Sequence, residues 1–241
     1  MTQLRLEGFH AVKHALRFGA RLTRLITNDT RAVEALRREL APDLDLVAAG
    51  LVEVPAAQVV DAGGRPLPSP LLGWCDRPSW TLTAAMARPG PVVVLEQPRH
   101  LGNAGAVVRV AAAAGAAAVV TTGDLDPWHP SVVRAAAGLH LALPVLRAGL
   151  DEVAAAAQSA GRPLVAVDGD GAPLHPDGIA IDAVLVLGTE RAGLSPAARA
   201  VCAQAVSILM RDGVSSLNLA TAAAVCLYAP RHASVQPSRN R

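Results

Sequence analysis

From Pro91 onward, the sequence alternates short, continuous runs of Val and Leu with segments of helical character. Strands are predicted at residues 92–95, 118–122, 143–146, 164–167, 184–187 and 205–209, and the clearest helices at 103–114, 150–160 and 217–228. Strands that are apolar along their whole length and separated by helices are typical of a parallel sheet covered on both faces. The sequence therefore predicts an α/β fold, and the ligands of such sheets bind at the carboxyl ends of the strands.

The residues before Pro91 predict a smaller α/β unit. They suggest a helix at 9–18, a strand at 22–27, a helix capped by Thr30 that runs to Leu40, a strand at 51–54 and a short helix at 55–60. The Gly- and Pro-rich stretch 63–70 is unsuited to a helix or a central strand and is assigned as a loop. We therefore predict one domain at 1–88, a second at 89–229 and a flexible polar tail at 230–241.

Composition excludes several classes of protein. Hydrophobic residues make up 51% and charged residues 17% of the chain, which favours a globular protein over a disordered one. No apolar run reaches the roughly 18 residues of a membrane-spanning helix, and the first ten residues contain no apolar signal-peptide core. Cys75, Cys202 and Cys226 share no motif spacing, so neither a disulfide framework nor a metal site is expected. These features predict a cytoplasmic protein with no membrane partner.

Common nucleotide-binding and hydrolytic motifs are missing. The sequence contains no GxxxxGK[ST], GxSxG or HExxH, which argues against an NTPase phosphate loop, a serine hydrolase elbow and a zinc protease. The loop after the strand at 92–95 contains Gly102-Asn103-Ala104-Gly105 instead of GxGxxG, and no acidic residue ends the next strand. A Rossmann dinucleotide site is therefore disfavoured.

Two polar clusters lie where a predicted strand leads into a helix. In the first, Asn103 is predicted to be a helix N-cap. Arg109 is the lone charge of that helix, which leaves a ligand contact, an internal ion pair and a surface position open. In the second, residues 187–195 follow a buried strand, and Gly188 and Gly193 allow a tight backbone path. Glu190 is able to accept a hydrogen bond from a ligand or from Arg109.

A third cluster, at residues 208–218, lies between the last strand and an Ala-rich helix. Ser216 is predicted to cap that helix. Two polar side chains, Ser216 and Asn218, stand beside a wholly apolar helix, and capping accounts for only one of them.

In order and spacing, the three clusters resemble the motifs of the SPOUT methyltransferases, in particular the SpoU/TrmH branch of RNA ribose 2′-O-methyltransferases. The stretch from Asn103 to Arg109 is similar to the family's Asn-x-Gly-x-x-x-Arg, residues 187–193 to its apolar strand with Gly-x-Glu-x-x-Gly, and residues 208–218 to Ile-Pro-Met followed by Ser-Leu-Asn. The chain departs from these patterns at Leu209, where proline is usual, at Thr189, and at residues 191–192.

The resemblance implies a parallel-sheet domain with a trefoil knot, a homodimer, and S-adenosylmethionine bound mainly by backbone groups. By position, the cofactor-binding residues are Leu187, Gly188, Glu190, Ile208 and Leu217. It also implies transfer of a methyl group to a ribose 2′-hydroxyl. The catalytic residues implied are Arg109, to which the family assigns a direct part in activating the hydroxyl, and the positioning residues Asn103, Glu190, Ser216 and Asn218. Because a guanidinium is a poor base, we expect Arg109 instead to bind phosphate and to stabilise the alkoxide.

The first ninety residues resemble, more weakly, the ribosomal-protein-like RNA-binding domain of the family's ribosomal RNA branch. The likeness lies in Glu7 to Val12 and the helix that follows. The resemblance implies RNA binding by the basic face His10, Lys13, His14 and Arg17, with a solvated helix surface as the alternative. Because aromatic residues make up only 2% of the chain, phosphate and shape recognition are expected to outweigh base stacking. Ribosomal RNA is the favoured substrate; tRNA, and a non-catalytic RNA-binding or ribosome-assembly role, remain alternatives.

Overall fold

The computed structural model describes residues 3–175, 177–189 and 192–234. They form two compact units: a small unit of residues 3–79 and 133–142, and a large unit of residues 80–132 and 143–234. This division differs from the predicted boundary at 88/89. The segment 80–88 belongs to the large unit, and the segment 133–142 belongs to the small unit, an association between distant parts of the chain that local periodicity does not reveal.

The small unit is built on a mixed four-stranded sheet with the strand order β1-β4-β2-β3. Its main elements are β1 (Gln3–Glu7), α1 (Phe9–Arg17), β2 (Leu22–Thr27), α2 (Thr30–Leu40), β3 (Leu51–Glu53) and β4 (Leu71–Asp76). β4 is antiparallel to β1 and β2, whereas β2 and β3 are parallel. The predicted strand at 22–27 is confirmed, the predicted helix at 55–60 is a single 3-10 turn at Ala56–Gln58, and β1 and β4 were not assigned as strands from the sequence.

The packing of α1 against β4 depends on a glycine. Phe9 and Val12 of α1 are buried, and a Cβ atom at Gly73 would lie 3.2 Å from Val12 Cγ2. A side chain at Gly73 would therefore require Val12 of the helix to shift by a few tenths of an ångström. The cap of α2 differs from the prediction: Asp29, not Thr30, accepts a hydrogen bond of 2.8 Å from the Ala32 amide, because Thr30 is already the first helical residue.

The large unit contains a six-stranded, wholly parallel sheet with the order β10-β8-β9-β5-β6-β7. Its strands are β5 (Val92–Leu95), β6 (Ala118–Thr121), β7 (Val145–Arg147), β8 (Leu164–Pro173), β9 (Val184–Leu187) and β10 (Gln204–Ser207). Its helices are α3 (Leu82–Met86), α4 (Leu101–Ala113), α5 (Pro130–Ala135, which ends in the segment 133–142), α6 (Leu150–Ser159), α7 (Pro196–Ala200) and α8 (Leu219–Ser234). The predicted α/β parallel-sheet fold is confirmed; the trefoil knot stays a prediction.

Both faces of the large sheet are covered by helices. On one face, alternate residues such as Val92, Val94 and Val186 pack against α3, α6 and α7. α4 and α8 pack against each other, α4 contacts β6, and α8 contacts β9. β5 and β9 are buried at every position, which explains why both strands were predicted with their observed bounds.

A buried arginine ties together the amino ends of the central strands. Arg162 is 8% exposed and donates hydrogen bonds to the carbonyls of Gly90 (2.7 Å), Asp182 (2.9 Å) and Arg88. These carbonyls precede β5 and β9, so the guanidinium satisfies polar groups that the sheet leaves unpaired.

At the opposite, carboxyl end, β8 departs from its neighbour. β8 pairs with β10 at Val165 and Ala166, and the pairing resumes only at Ala172 and Pro173. The intervening residues 167–171, which we call the β8 detour, do not pair with β10, although Gly171 lies directly against the backbone of Ala205 and Val206. This departure opens space at the edge where β8, β9 and β10 end.

Candidate functional site

A pocket of about 350 Å³ occupies the carboxyl ends of β8, β9 and β10. Its walls come from the β8 detour, from the loop after β9 and from the loop that joins β10 to α8. The predicted cofactor residues Leu187, Gly188, Ile208 and Leu217 all line it, as does Ser216. Glu190, predicted for both cofactor binding and catalysis, lies outside the described residues. The volume falls in the range of small-molecule sites.

The loop after β9 has a backbone path that requires glycine. A Cβ atom on Gly188 would overlap the backbone of Gly193 and Leu194. Thr189 and Gly193 close the loop with two backbone hydrogen bonds, of 3.1 Å and 2.9 Å, and Gly193 has a φ of 63°, which favours glycine. The pocket wall is therefore a tight backbone turn.

Glu96, which directly follows β5, holds this pocket wall in place through hydrogen bonds to Ser195. Its side chain is buried, and its two carboxylate oxygens accept hydrogen bonds from the Ser195 amide (2.8 Å) and the Ser195 hydroxyl. Ser195 also caps α7 by accepting a bond of 3.1 Å from the Ala198 amide. Sequence analysis did not single out Glu96, although an acidic residue that directly follows four buried apolar residues was a usable signal.

Asp168 is the one charged side chain among the described residues that line the pocket. Its side chain is 10% exposed and is paired with Arg199 at 2.5 Å, while Asp170 lies 3.7 Å from the same guanidinium. One arginine thus faces two carboxylates, which leaves a net negative charge beside the pocket. Nothing in the local sequence pattern distinguished Asp168 from a residue of an ordinary turn.

Asn103 and Asn218, predicted from separate motifs, are brought together. Asn218 Nδ2 donates a hydrogen bond of 3.1 Å to Asn103 Oδ1. The predicted N-caps are corrected: α4 begins at Leu101, so Asn103 lies within its first turn, and Asn218, not Ser216, accepts a bond of 2.9 Å from the Ala220 amide at the start of α8. Asn218 therefore links α4 to α8 while it caps α8.

Arg109 lies on the exposed side of α4. Among the described residues it has no hydrogen bond and no ion pair, and it is not part of the pocket lining. Of the three alternatives left open by the sequence, an ion pair with another described residue is not observed. Glu190, the partner that the sequence suggested for Arg109, lies outside the described residues.

The predicted basic face of α1 is partly engaged within the small unit. Arg17 donates two hydrogen bonds to Asp43, one of 3.0 Å and one of 2.5 Å. This pairing holds the pKa of the Asp43 carboxyl below its usual value. His14 Nδ1 lies 2.8 Å from the Ala137 carbonyl, whereas His10 is exposed and Lys13 is half-buried.

The three cysteines are free thiols in the structure. Burial raises the pKa of Cys226 to about 12, and burial followed by a nearby carboxylate raises those of Cys75 and Cys202 to about 11. Within the described parts of the chain, no group of three or more His, Cys, Asp or Glu side chains is placed to hold a metal ion. No helix in those parts is both long and apolar enough to span a membrane.

Comparison with known sequences gives relatives that are named as 23S rRNA 2'-O-methyltransferases. The chain is 36% identical over 148 residues to the 23S rRNA (uridine(2479)-2'-O)-methyltransferase of Streptomyces viridochromogenes, covering 56% of this chain and 50% of that protein. It is also 36% identical over 143 residues to the 23S rRNA (adenosine(1067)-2'-O)-methyltransferase of Streptomyces laurentii, covering 58% and 53%. The matches thus span about half the length of these relatives.

Solved structures match over nearly the whole chain. The SpoU methyltransferase AviRb from Streptomyces viridochromogenes, in complex with AdoMet, has a TM-score of 0.76 at 25% identity, covering 98% of this chain and 92% of that one. An AdoMet-bound rRNA methyltransferase from Sinorhizobium meliloti has a TM-score of 0.76 at 26% identity, covering 97% and 88%. Residues 90–228, more than half of the chain, match the model of the SpoU rRNA Methylase family. The chain therefore belongs to the SpoU rRNA methylase family.

Proposed function

We propose that this chain is an S-adenosylmethionine-dependent RNA methyltransferase that methylates a ribose 2′-hydroxyl in ribosomal RNA. The observation that carries the proposal is the pocket at the carboxyl ends of β8–β10, which is lined by residues from the second and third motifs. The names of the relatives and the AdoMet complexes of two structural neighbours support the same chemistry.

The pocket suits S-adenosylmethionine in shape and charge. Gly188 and Gly193 line the pocket without placing a side chain in it, and Leu187, Ile208 and Leu217 would contact the bound molecule. The cofactor supplies an electrophilic methyl group on a sulfonium. The carboxylates of Asp168 and Asp170, which share one arginine, favour a ligand with net positive charge.

On the substrate side, the chain's task is to align the ribose and to stabilise the charge that develops on its 2′-oxygen. Arg109 would bind the RNA phosphate and stabilise the emerging alkoxide. A guanidinium is a poor base, so the proton leaves to a neighbouring group or to water. Asn103, hydrogen-bonded to Asn218, and Ser216 in the pocket wall would position the ribose. We assign the same positioning task to Glu190.

The proposed partners are ribosomal RNA and a second copy of the chain. Leu209 is 77% exposed, Val214 49% and Val225 37%, and together with Met210 they give the loop before α8 and α8 itself an exposed apolar surface. Such a surface suits burial in a homodimer. We further propose that the small unit contributes RNA affinity through His10, Lys13, His14 and Arg17, and that the protein acts in the cytoplasm.

The test is transfer of tritiated methyl from S-adenosylmethionine to 23S rRNA, with tRNA as the competing substrate and mapping of the modified nucleotide by mass spectrometry. Arg109→Ala is expected to bind the cofactor like the unmodified protein in calorimetry and to lose methyl transfer. Transfer at the unmodified rate would contradict the role of Arg109, and absence of cofactor binding by the unmodified protein would contradict the proposal as a whole. Light scattering on the same sample gives the oligomeric state; a monomer would contradict the dimer.

A further inference from the structure

The outer face of the small sheet carries an aromatic side chain between two arginines. Arg5, Trp74 and Arg24 lie in register on the adjacent strands β1, β4 and β2. The guanidinium carbon of Arg24 is 5.0 Å from the centroid of the Trp74 ring, and that of Arg5 is 6.0 Å from it. Three neighbouring strands thus present one continuous cationic and aromatic surface, which we call the Arg–Trp–Arg platform.

The two arginines differ in how firmly they are held. Arg5 donates to the Val60 carbonyl and lies 3.3 Å from the carboxylate of Glu7, whose side chain is 4% exposed. Arg24 is exposed, and its hydrogen bond in the structure is a long one of 3.4 Å to Gln58 Oε1. Arg5 therefore supports the indole, while most of the donors of Arg24 remain available to a ligand.

The surroundings leave the platform open on one side. Towards Leu72 and Ile26 the face is closed, because Val59 and Leu67 pack against them and Trp74 contributes to the same cluster. In the other direction the face continues with small or polar side chains: Gln3 donates to Thr23, and Thr23 donates to the Trp74 carbonyl. Asp76, in register with Gln3, is the acidic group of that end, so phosphates are expected on the Arg24 side.

We propose that the Arg–Trp–Arg platform binds single-stranded RNA. Unpaired bases stack on aromatic rings and on guanidinium planes, and an arginine fork matches phosphate oxygens. The alternative use of an Arg–Trp contact is a surface cation–π pair that only supports the sheet. Such a pair needs no ligand, and it predicts unchanged RNA affinity when Arg24 or Trp74 is replaced. The platform is distinct from the α1 face, because α1 packs over Gly73, and Trp74, the next residue of β4, points to the opposite side of the sheet.

This inference takes from the proposed function only that the ligand is RNA. Binding of RNA by the platform requires no cofactor. The probe is a fluorescein-labelled oligoadenylate, titrated at several salt concentrations. Arg24→Gln is expected to weaken binding several-fold and to lower the salt slope by about one phosphate contact. Trp74→Leu, which keeps an apolar side chain in the cluster, is expected to weaken binding about tenfold.

The matched control is Arg31→Gln, which removes an exposed arginine of α2 in the same unit. It is expected to change affinity less than about twofold. Unchanged affinity in both platform variants, or an equal loss in Arg31→Gln, would overturn the proposal.

A fluorescence measurement on a protein that retains Trp74 tests stacking directly, so that the proposal does not depend only on variants that lose binding because they misfold. In a Trp80→Phe, Trp128→Phe background, Trp74 is the remaining tryptophan, and oligoadenylate is expected to quench its fluorescence through stacking. Absence of quenching at saturating RNA would refute stacking at Trp74. Cofactor binding measured on the same variants separates the outcomes: RNA binding that depends on the platform, in a protein that does not bind S-adenosylmethionine, would contradict the enzymatic proposal but not this one.

Discussion

Replacement of Glu96 tests whether a buried carboxylate outside the pocket sets the shape of the pocket wall. Glu96 accepts hydrogen bonds from the amide and the hydroxyl of Ser195, and Gly193 of the pocket wall precedes Ser195 by two residues. A hydrogen bond to a charged group contributes roughly 1.5–3 kcal/mol. Glu96→Ala removes two such bonds, and relief of carboxylate desolvation offsets part of the loss. We expect it to lower the free energy of unfolding by roughly 3–4 kcal/mol.

The conservative variant Glu96→Gln keeps the shape and can still accept from the amide. It exchanges charged bonds for neutral ones, so a loss of about 1–2 kcal/mol is expected. Ser195→Ala removes the hydroxyl bond and the cap of α7, for a loss of about 2 kcal/mol. In a double-mutant cycle with Glu96→Ala, the coupling energy is expected to be about 1–2 kcal/mol.

The assays are urea unfolding for stability and calorimetry for cofactor affinity. Glu96→Ala is expected to weaken S-adenosylmethionine binding several-fold, because Gly193 and Leu194 lose their anchor. The matched control is Glu152→Gln, whose carboxylate accepts a bond of 2.6 Å from the Gly149 amide at the start of α6, away from the pocket lining. It is expected to leave cofactor affinity unchanged. Additive effects of Glu96→Ala and Ser195→Ala, or unchanged cofactor affinity in Glu96→Ala, would refute the reasoning.

Two further predictions concern the pocket glycines and the cysteines. Gly188→Ala is expected to lower cofactor affinity at least tenfold in calorimetry, because the added Cβ overlaps the Gly193 backbone. The control Gly169→Ala also changes a residue of the pocket lining, but no atom lies within 4 Å of its added Cβ, so it is expected to bind the cofactor normally. An equal loss of affinity in both variants would contradict this prediction. Because burial raises the pKa of Cys226 to about 12 and those of Cys75 and Cys202 to about 11, the thiolate fraction at about pH 8 is very small. Iodoacetamide at that pH should label the native protein slowly and the urea-unfolded protein rapidly, as followed by mass spectrometry. Rapid native labelling of Cys75 or Cys226, the two buried cysteines, would contradict this prediction.

The parts of the fold that are apolar along their whole length could be predicted closely, as β5 and β9 show. Caps were predicted less well. At α2 and α8, polar residues one or two positions apart compete for the cap, and the backbone geometry selects Asp29 over Thr30 and Asn218 over Ser216. At α4 the helix begins before Asn103.

The site was predictable where its residues form motifs and not where they act singly. The loops containing Gly188 and Leu217 carry recognisable patterns and meet at one pocket. Glu96 directly follows β5 and Asp168 lies within β8, neither in a recognised motif, and their importance arises from partners 99 and 31 residues away. The association of 133–142 with the small unit depends on such distant contacts too, including the ion pair of 2.9 Å between Arg134 and Glu7.

The β8 detour lines the pocket, whereas the residues that pair β8 with β10 lie on either side of the detour. The pairing of β8 with β10 is complete before residue 167 and is restored at Ala172. Changes of length confined to residues 169–170 would spare Val167, which pairs with Leu187 of β9, and Gly171, which lies against the backbone of Ala205 and Val206. A site whose wall can change in length while its scaffold stays in place offers protein engineers a position at which methyl donors of different size could be accommodated.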